Sequence, residues 1–244
     1  RERRAARDAD AAPPDLTTAR GLARAISFQT QGCPERIGAI PEPAAGSVRI
    51  GVTGSPGVGK STFIGRLARA LRSRGRRVAV IAVDPTSPIT GGALLGDRLR
   101  MMQTETDEGL FVRSLSSSGA AGGLAPHIGE VARLMAAAGF EVVLIETVGA
   151  GQSDVQIRDV ADAVLLLLMP GAGDAVQFTK AGVVEIATGF VINKADLDGA
   201  DKTLKELRDS LDDGREIWPV SALRGEGFDP LCDWIDAQVA AGAS

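Results

Sequence analysis

The segment Gly54-Ser55-Pro56-Gly57-Val58-Gly59-Lys60-Ser61 has the spacing G-x-x-x-x-G-K-[ST], and its flanks restrict the fold further. Ahead of it, Val48-Arg49-Ile50-Gly51-Val52-Thr53 has the character of a short strand. Behind it, between Thr62 and Ser73, Phe63, Ile64, Leu67, Ala68 and Leu71 recur at helical spacing. Strand, glycine loop and helix in this order build a phosphate cradle. The glycines let successive backbone N–H groups turn inward, and the positive end of the new helix adds field of the same sign. Backbone from Gly54 to Thr62 is then expected to enclose a nucleoside triphosphate. Lys60 is expected to reach its β- and γ-phosphates, and the Ser61 hydroxyl to face Mg²⁺. A glycine-rich turn that merely precedes a helix is the competing explanation; strand, Lys, Ser and helix standing together set it aside.

The rest of the chain repeats the alternation. Further strands are expected at Val78–Asp84, Val142–Thr147, Ala163–Met169, Phe190–Asn193 and Ile217–Ser221, with Leu110–Ser114 as another candidate, and helical patterns fall at 62–73, 127–138, 174–187, 200–211 and 228–240. The strands are nearly continuous Val, Ile and Leu, which indicates burial on both faces. The expected fold is α/β: a doubly wound, mostly parallel sheet with helices on both faces, as in the G domain of P-loop NTPases. Residues 1–47 are expected to form a tail and a helical extension. Within them 16–31 can make one amphipathic helix, and Gly32 to Ser47 carries three prolines and three glycines. Residues 48–244 are the nucleotide domain.

Composition narrows the function classes. A net charge of −4 over 244 residues gives no general attraction to nucleic acid or anionic lipid. Cys33, Cys232 and the single His127 indicate neither a disulfide framework nor a Cys/His metal site. No apolar run approaches the roughly 18 residues needed to cross a bilayer, and Glu2, Asp8 and Asp10 interleave with the arginines of the first ten residues. A soluble, cytoplasmic protein with a solvated N-terminal tail is expected.

Two further motifs sit at strand ends, where ligands bind in such sheets. Asn193-Lys194-Ala195-Asp196 matches N-K-x-D. A carboxylate at Asp196 can accept from both the ring N–H and the exocyclic amine of guanine, whereas adenine offers neither there, so GTP and GDP are the expected ligands. Ser221-Ala222-Leu223, at the next strand end, can complete the base pocket. Glu146-Thr147-Val148-Gly149 follows the apolar run Val142–Ile145 and puts an acid near the expected Mg²⁺. Most GTPases carry Asp in D-x-x-G there, so Glu146 points to a different branch. Asp84, ending its strand, and Asp97, in the segment Gly91 to Asp97, are further oxygen ligands suited to Mg²⁺, directly or through water. A helix cap is the alternative role for Asp84.

The segments VAVIAVDPTSPITGGALLGDRLRM (78–101), GFEVVLIETVGAGQSD (139–154), MPGAGDAVQFTKAGVVEIA (169–187) and FVINKAD (190–196) resemble the MeaB/ArgK-type GTPases, also called the methylmalonic aciduria type A family. The resemblance covers about residues 48–235. It implies a GTP-hydrolysing chaperone of an adenosylcobalamin-dependent acyl-CoA mutase, notably methylmalonyl-CoA mutase. Its role would be to assist loading, protection or reactivation, with hydrolysis as the timer. By position it implies that Asp84, Asp97 and Glu146 surround Mg²⁺ with Ser61, and that Gly149 to Asp154 form a switch segment. Gln152 is then the candidate to orient water. Met169 to Lys180 resembles the segment that couples the partner to hydrolysis, with Asp174 and Lys180 as its candidates. Where the family has Arg or Lys after Gly-Gly-Leu-Ala, this chain has Pro126-His127, and His127 is expected to be a solvated residue at a helix start. The family's homodimer is built through an arm beyond the helix that ends near Ala240, so dimerisation is left open. A metallochaperone GTPase, a kinase or transport-associated ATPase, and a nucleotide-bound adaptor are the alternative functions.

Overall fold

The computed structural model describes residues 12–43, 45–84, 107–116, 125–149, 155–171, 182–211 and 213–242, without the side chain of Asp84. In chain order the elements are α1 (Ala19–Thr30), β1 (Val48–Gly54), α2 (Lys60–Ser73), β2 (Val78–Asp84), β3 (Leu110–Ser116), α3 (Ile128–Ala137), β4 (Val142–Glu146), β5 (Ala163–Leu168), α4 (Val183–Ile186), β6 (Gly189–Ile192), α5 (Ala200–Ser210), β7 (Ile217–Pro219) and α6 (Phe228–Ala241). Short 3-10 turns lie at Pro34–Arg36 and Ile157–Asp159.

The seven strands form one sheet in the order β3-β2-β4-β1-β5-β6-β7, and every neighbouring pair is parallel. The chain leaves β1 towards β2 on one side and leaves β5 towards β6 on the other. A crevice therefore opens at the carboxyl ends of these two adjacent strands, where doubly wound sheets bind ligands.

Both faces of the sheet are covered, and β2 shows how its residues divide. Val78, Val80 and Ala82 enter one core with Phe63, Ile64, Leu67 and Leu71 of α2 and Leu231, Ile235 and Val239 of α6. Ala79, Ile81 and Val83 enter the other, with Val131, Leu134 and Met135 of α3 and Leu22, Ala25 and Ile26 of α1. Successive side chains of a strand point to opposite faces, so a strand covered on both must be apolar at every position. Each Val, Leu or Ile side chain buried this fully contributes about 1.5–3 kcal/mol, which makes the sheet a stiff platform for the loops at its edge.

Helix α1, within the segment expected as a helical extension, packs into the second core. Strand β3 runs two residues beyond its expected end. β4, β5 and β6 each stop one residue early and β7 two, so that Thr147, Met169, Asn193 and Ser221 lie in the loops. Of the expected helix 174–187, only Val183–Ile186 falls among the described helical residues. His127 stands exposed at the start of α3 with φ of 64°. Among the described residues no helix is long and apolar enough to cross a membrane.

Candidate functional site

The loop from Gly54 to Gly59 joins the C-terminal end of β1 to α2, which begins at Lys60, two residues earlier than the apolar spacing alone implies. Gly59 sets that start. It takes φ of 97°, and a Cβ there would come within 2.7 Å of Asn193 Nδ2. Both the left-handed backbone and the close approach call for glycine. Lys60 is buried and donates through Nζ to the carbonyl oxygens of Gly54, at 2.7 Å, and Ser55, at 3.2 Å. An anionic oxygen entering the loop would meet this ammonium with a full charge where the carbonyls offer dipoles, a stronger interaction.

Beside it, Ser61 Oγ donates to Oε1 of Glu146 at 2.7 Å. Glu146 ends β4 and is only 2 % exposed. A hydroxyl and a carboxylate side by side form a hard-oxygen donor pair, which fits Mg²⁺ and suits a soft metal poorly. The strand ends that carry the two halves of the site are tied together: Thr147 Oγ1 donates to Thr53 Oγ1 at 3.1 Å in a fully buried contact, and Thr147 N donates to Val52 O. Gly149 closes this side with φ of 80°. A Cβ there would lie 2.5 Å from Gly54 O and 2.6 Å from Lys60 Nζ, so the chain after β4 rests directly on the glycine loop.

The second half of the site lies at the ends of β6 and β7. Asn193 is buried and spans three segments, its Nδ2 donating to Val58 O at 2.8 Å while its Oδ1 accepts from Ala222 N at 3.1 Å. Lys194 follows with φ of 60° and donates through Nζ to Gly57 O at 3.0 Å, with Met169 Sδ at 3.5 Å. The Asp196 side chain is only 10 % exposed. A hydrogen bond from the Ser221 hydroxyl, with the Arg224 guanidinium 3.7 Å away, holds its carboxyl below the usual carboxylate range. Ala222 is buried and Leu223 is 75 % exposed at the rim.

The structure therefore brings together the stretch Gly54 to Ser61, Glu146, Gly149, Asn193, Lys194, Asp196 and Ser221 to Leu223, with Thr62 exposed on the first turn of α2. Asp84 ends β2, although its side chain is not among those described, and Asp97, Gln152, Asp174 and Lys180 lie outside the described residues. Sequence inspection missed Thr53 and Thr147, which look like ordinary strand residues. It also missed Arg66, whose guanidinium donates to Ala222 O and Leu223 O, both at 3.0 Å. Nothing in the helical pattern of 62–73 distinguishes Arg66 from Arg69 or Arg72.

A seven-stranded parallel sheet with a glycine loop, a Lys-Ser pair and an N-K-x-D turn at one edge defines a P-loop GTPase domain. The family model described as "Methylmalonyl Co-A mutase-associated GTPase MeaB" matches residues 22–241, and the chain belongs to that family. It is 50% identical over 177 residues to a putative GTPase of Pyrococcus horikoshii, covering 72% of this chain and 56% of the relative. To the mitochondrial methylmalonic aciduria type A homolog of Caenorhabditis elegans it is 39% identical over 192 residues, 74% of this chain and 47% of that protein. Among solved structures, the LAO/AO transport system kinase superposes with a TM-score of 0.65 at 28% identity, covering 93% of this chain and 74% of the other. The chain spans a little over half the length of the first curated relatives it matches.

Proposed function

We propose that this chain is the nucleotide-binding domain of a GTP-hydrolysing chaperone that assists cofactor loading, protection or reactivation of an adenosylcobalamin-dependent acyl-CoA mutase such as methylmalonyl-CoA mutase. The observation that carries GTP is Asp196, a carboxylate only 10 % exposed and kept ionised by Ser221, in the same group of strand-end loops as the Lys60 loop. An ionised acceptor in a nearly buried position is satisfied by the adjacent ring N–H and exocyclic amine of guanine, a pair of donors that adenine does not offer in that place. The mutase partner is supported by membership in a family of methylmalonyl-CoA mutase-associated GTPases.

In this proposal Lys60 leaves the carbonyls of Gly54 and Ser55 for the β- and γ-phosphate oxygens, and backbone N–H groups from Gly57 to Thr62 enclose the phosphates. Ser61, Glu146, Asp84 and Asp97 hold Mg²⁺ directly or through water; when bound, the ion offsets charge that develops on the transferred phosphoryl group. Gly149 keeps the chain after β4 against the loop, so the loop's occupancy reaches the segment that carries Gln152, the residue proposed to orient the attacking water. Lys180 and Asp174 are proposed to couple the partner to hydrolysis. Catalysis is thus positioning plus charge stabilisation. A cytoplasmic location and a possible homodimer belong to the same proposal.

The test measures GTP turnover by the chain alone and with purified apo and cobalamin-loaded mutases. Lys60→Ala should lower turnover by about 100-fold or more, and a cognate mutase should change turnover and co-elute with the chain. Equal turnover in the parent and Lys60→Ala would end the enzymatic part, and indifference to every mutase would end the chaperone part. Stoichiometric nickel or zinc binding would favour a metallochaperone, and tight ATP binding with weak GTP binding an ATPase.

A further inference from the structure

We infer that Arg66 is a positioning residue for base recognition, bracing the loop that forms one wall of the base pocket against the helix that holds the phosphates. The inference rests on the guanine-nucleotide function proposed above. The loop from Ser221 to Glu226 is closed on itself: Ser221 N donates to Glu226 O at 3.0 Å, Gly225 N to Ser221 O at 2.7 Å and Arg224 N to Ser221 Oγ at 3.2 Å. At its neck, a Cβ on Gly227 would lie 2.3 Å from Pro219 O, so the two arms of the loop lie against each other with no space for a side chain between them. These bonds fix the loop's shape but not its place.

Its place comes from outside. Asn193 Oδ1 takes the N–H of Ala222, while Arg66 donates through Nε to Ala222 O and through Nη2 to Leu223 O, both at 3.0 Å. A planar fork on two successive carbonyls sets orientation as well as distance, which a single ammonium cannot do. Arg66 lies on α2, the helix that begins with Lys60 and Ser61, and Phe63 of that helix stacks on Phe228 just beyond the loop at 5.6 Å. Beside the Phe63–Phe228 contact, Arg66 thereby ties the base wall directly to the phosphate helix. Removing it should let the closed loop swing as a unit while the glycine loop keeps its shape.

The test compares binding of GDP, ADP and inorganic pyrophosphate by calorimetry for the parent chain, Arg66→Ala and Arg66→Lys. Arg66→Ala should lose about ten- to a hundredfold in GDP affinity, the worth of one or two charge-assisted hydrogen bonds. Pyrophosphate affinity should change less than about twofold, since those contacts are made by the loop and Lys60. Arg66→Lys keeps the charge without the fork and should fall between the two, which preserves the test if the alanine variant does not fold. Equal losses for GDP and pyrophosphate, or no loss for either, would overturn the inference. A parent chain that binds ADP as well as GDP would instead remove the guanine assignment on which it rests.

Discussion

Asn193 offers the sharpest test of how the two halves of the site are held. Its amide is 2 % exposed and bridges Val58 O, at 2.8 Å, and Ala222 N, at 3.1 Å. Asn193→Ala removes both bonds and leaves a buried carbonyl and a buried N–H without that partner, at about 1–3 kcal/mol each. The expected loss is about 2–6 kcal/mol, which for a chain of this size lowers Tm by about 4–24 °C. Asn193→Asp keeps the acceptor for Ala222 N but sets a second oxygen against Val58 O. Burial beside that carbonyl would raise the folded-state pKa of the new carboxyl above its unfolded value near about 3.9. Stability from the protonated, donating form is therefore fully present below that unfolded value and lost as pH rises through the folded one. Urea unfolding of nucleotide-free protein at neutral and mildly acidic pH checks both variants. If Asn193→Ala stayed within about 0.5 kcal/mol of the parent, or Asn193→Asp matched the parent at neutral pH, the bridge would not act as its geometry implies.

Gly149→Ala should cost about 1–3 kcal/mol from its left-handed backbone, and more from the contacts at 2.5 and 2.6 Å with Gly54 O and Lys60 Nζ; GTP turnover should fall even where thermal melts show the fold retained. Asp196→Asn replaces the proposed acceptor of two guanine donors and should weaken GDP by about 10²- to 10⁴-fold with pyrophosphate affinity unchanged, as read by competition binding. Asp162 accepts from Arg49 Nε, Nη2 and N, and its carboxyl lies below the usual range: burial pushes it up, and the bonds from Arg49 more than offset that. Since both partners are more than a third exposed, Asp162→Asn should cost only about 1 kcal/mol near neutral pH. With a depressed folded pKa, that contribution is present above the ordinary carboxylate value near about 3.9 and lost as pH falls through the folded value, which paired unfolding curves would show. Burial raises the Cys232 thiol to about 11, whereas Cys33 is half-buried, so a thiol reagent at mildly alkaline pH should label Cys33 in the native chain and Cys232 only after denaturation.

Much of the fold is legible in the chain because each strand is covered on both faces and so is apolar throughout. The run Val78 to Val83 shows this, and no polar alternation disguises it. Boundaries were less legible. β6 ends at Ile192 rather than Asn193 because the Asn193 side chain is needed for Val58 and Ala222, and Lys194 then turns at φ of 60°. Helix α1 was visible as an amphipathic stretch, but its partner was not. Leu22, Ala25 and Ile26 meet Val131 and Leu134, and spacing within one helix says nothing about which distant face it will cover.

Within the site, local sequence determined the parts that depend on local chemistry. Glycines at positive φ followed by Lys and Ser, flanked by a strand and a helix, carry the signature of a phosphate loop, and Asn-Lys-x-Asp at a strand end carries that of the proposed base-reading turn. Tertiary structure alone decided that these parts form one site. Asn193 and Val58 are 135 residues apart, Glu146 and Ser61 are 85 apart, and Arg66 and Leu223 are 157 apart. The strand order β3-β2-β4-β1-β5-β6-β7 sets the ends of β4, β1, β5, β6 and β7 side by side. A residue's own sequence records its helical or strand preference, but which strands become neighbours is settled by the burial of whole faces, a property of the assembled sheet.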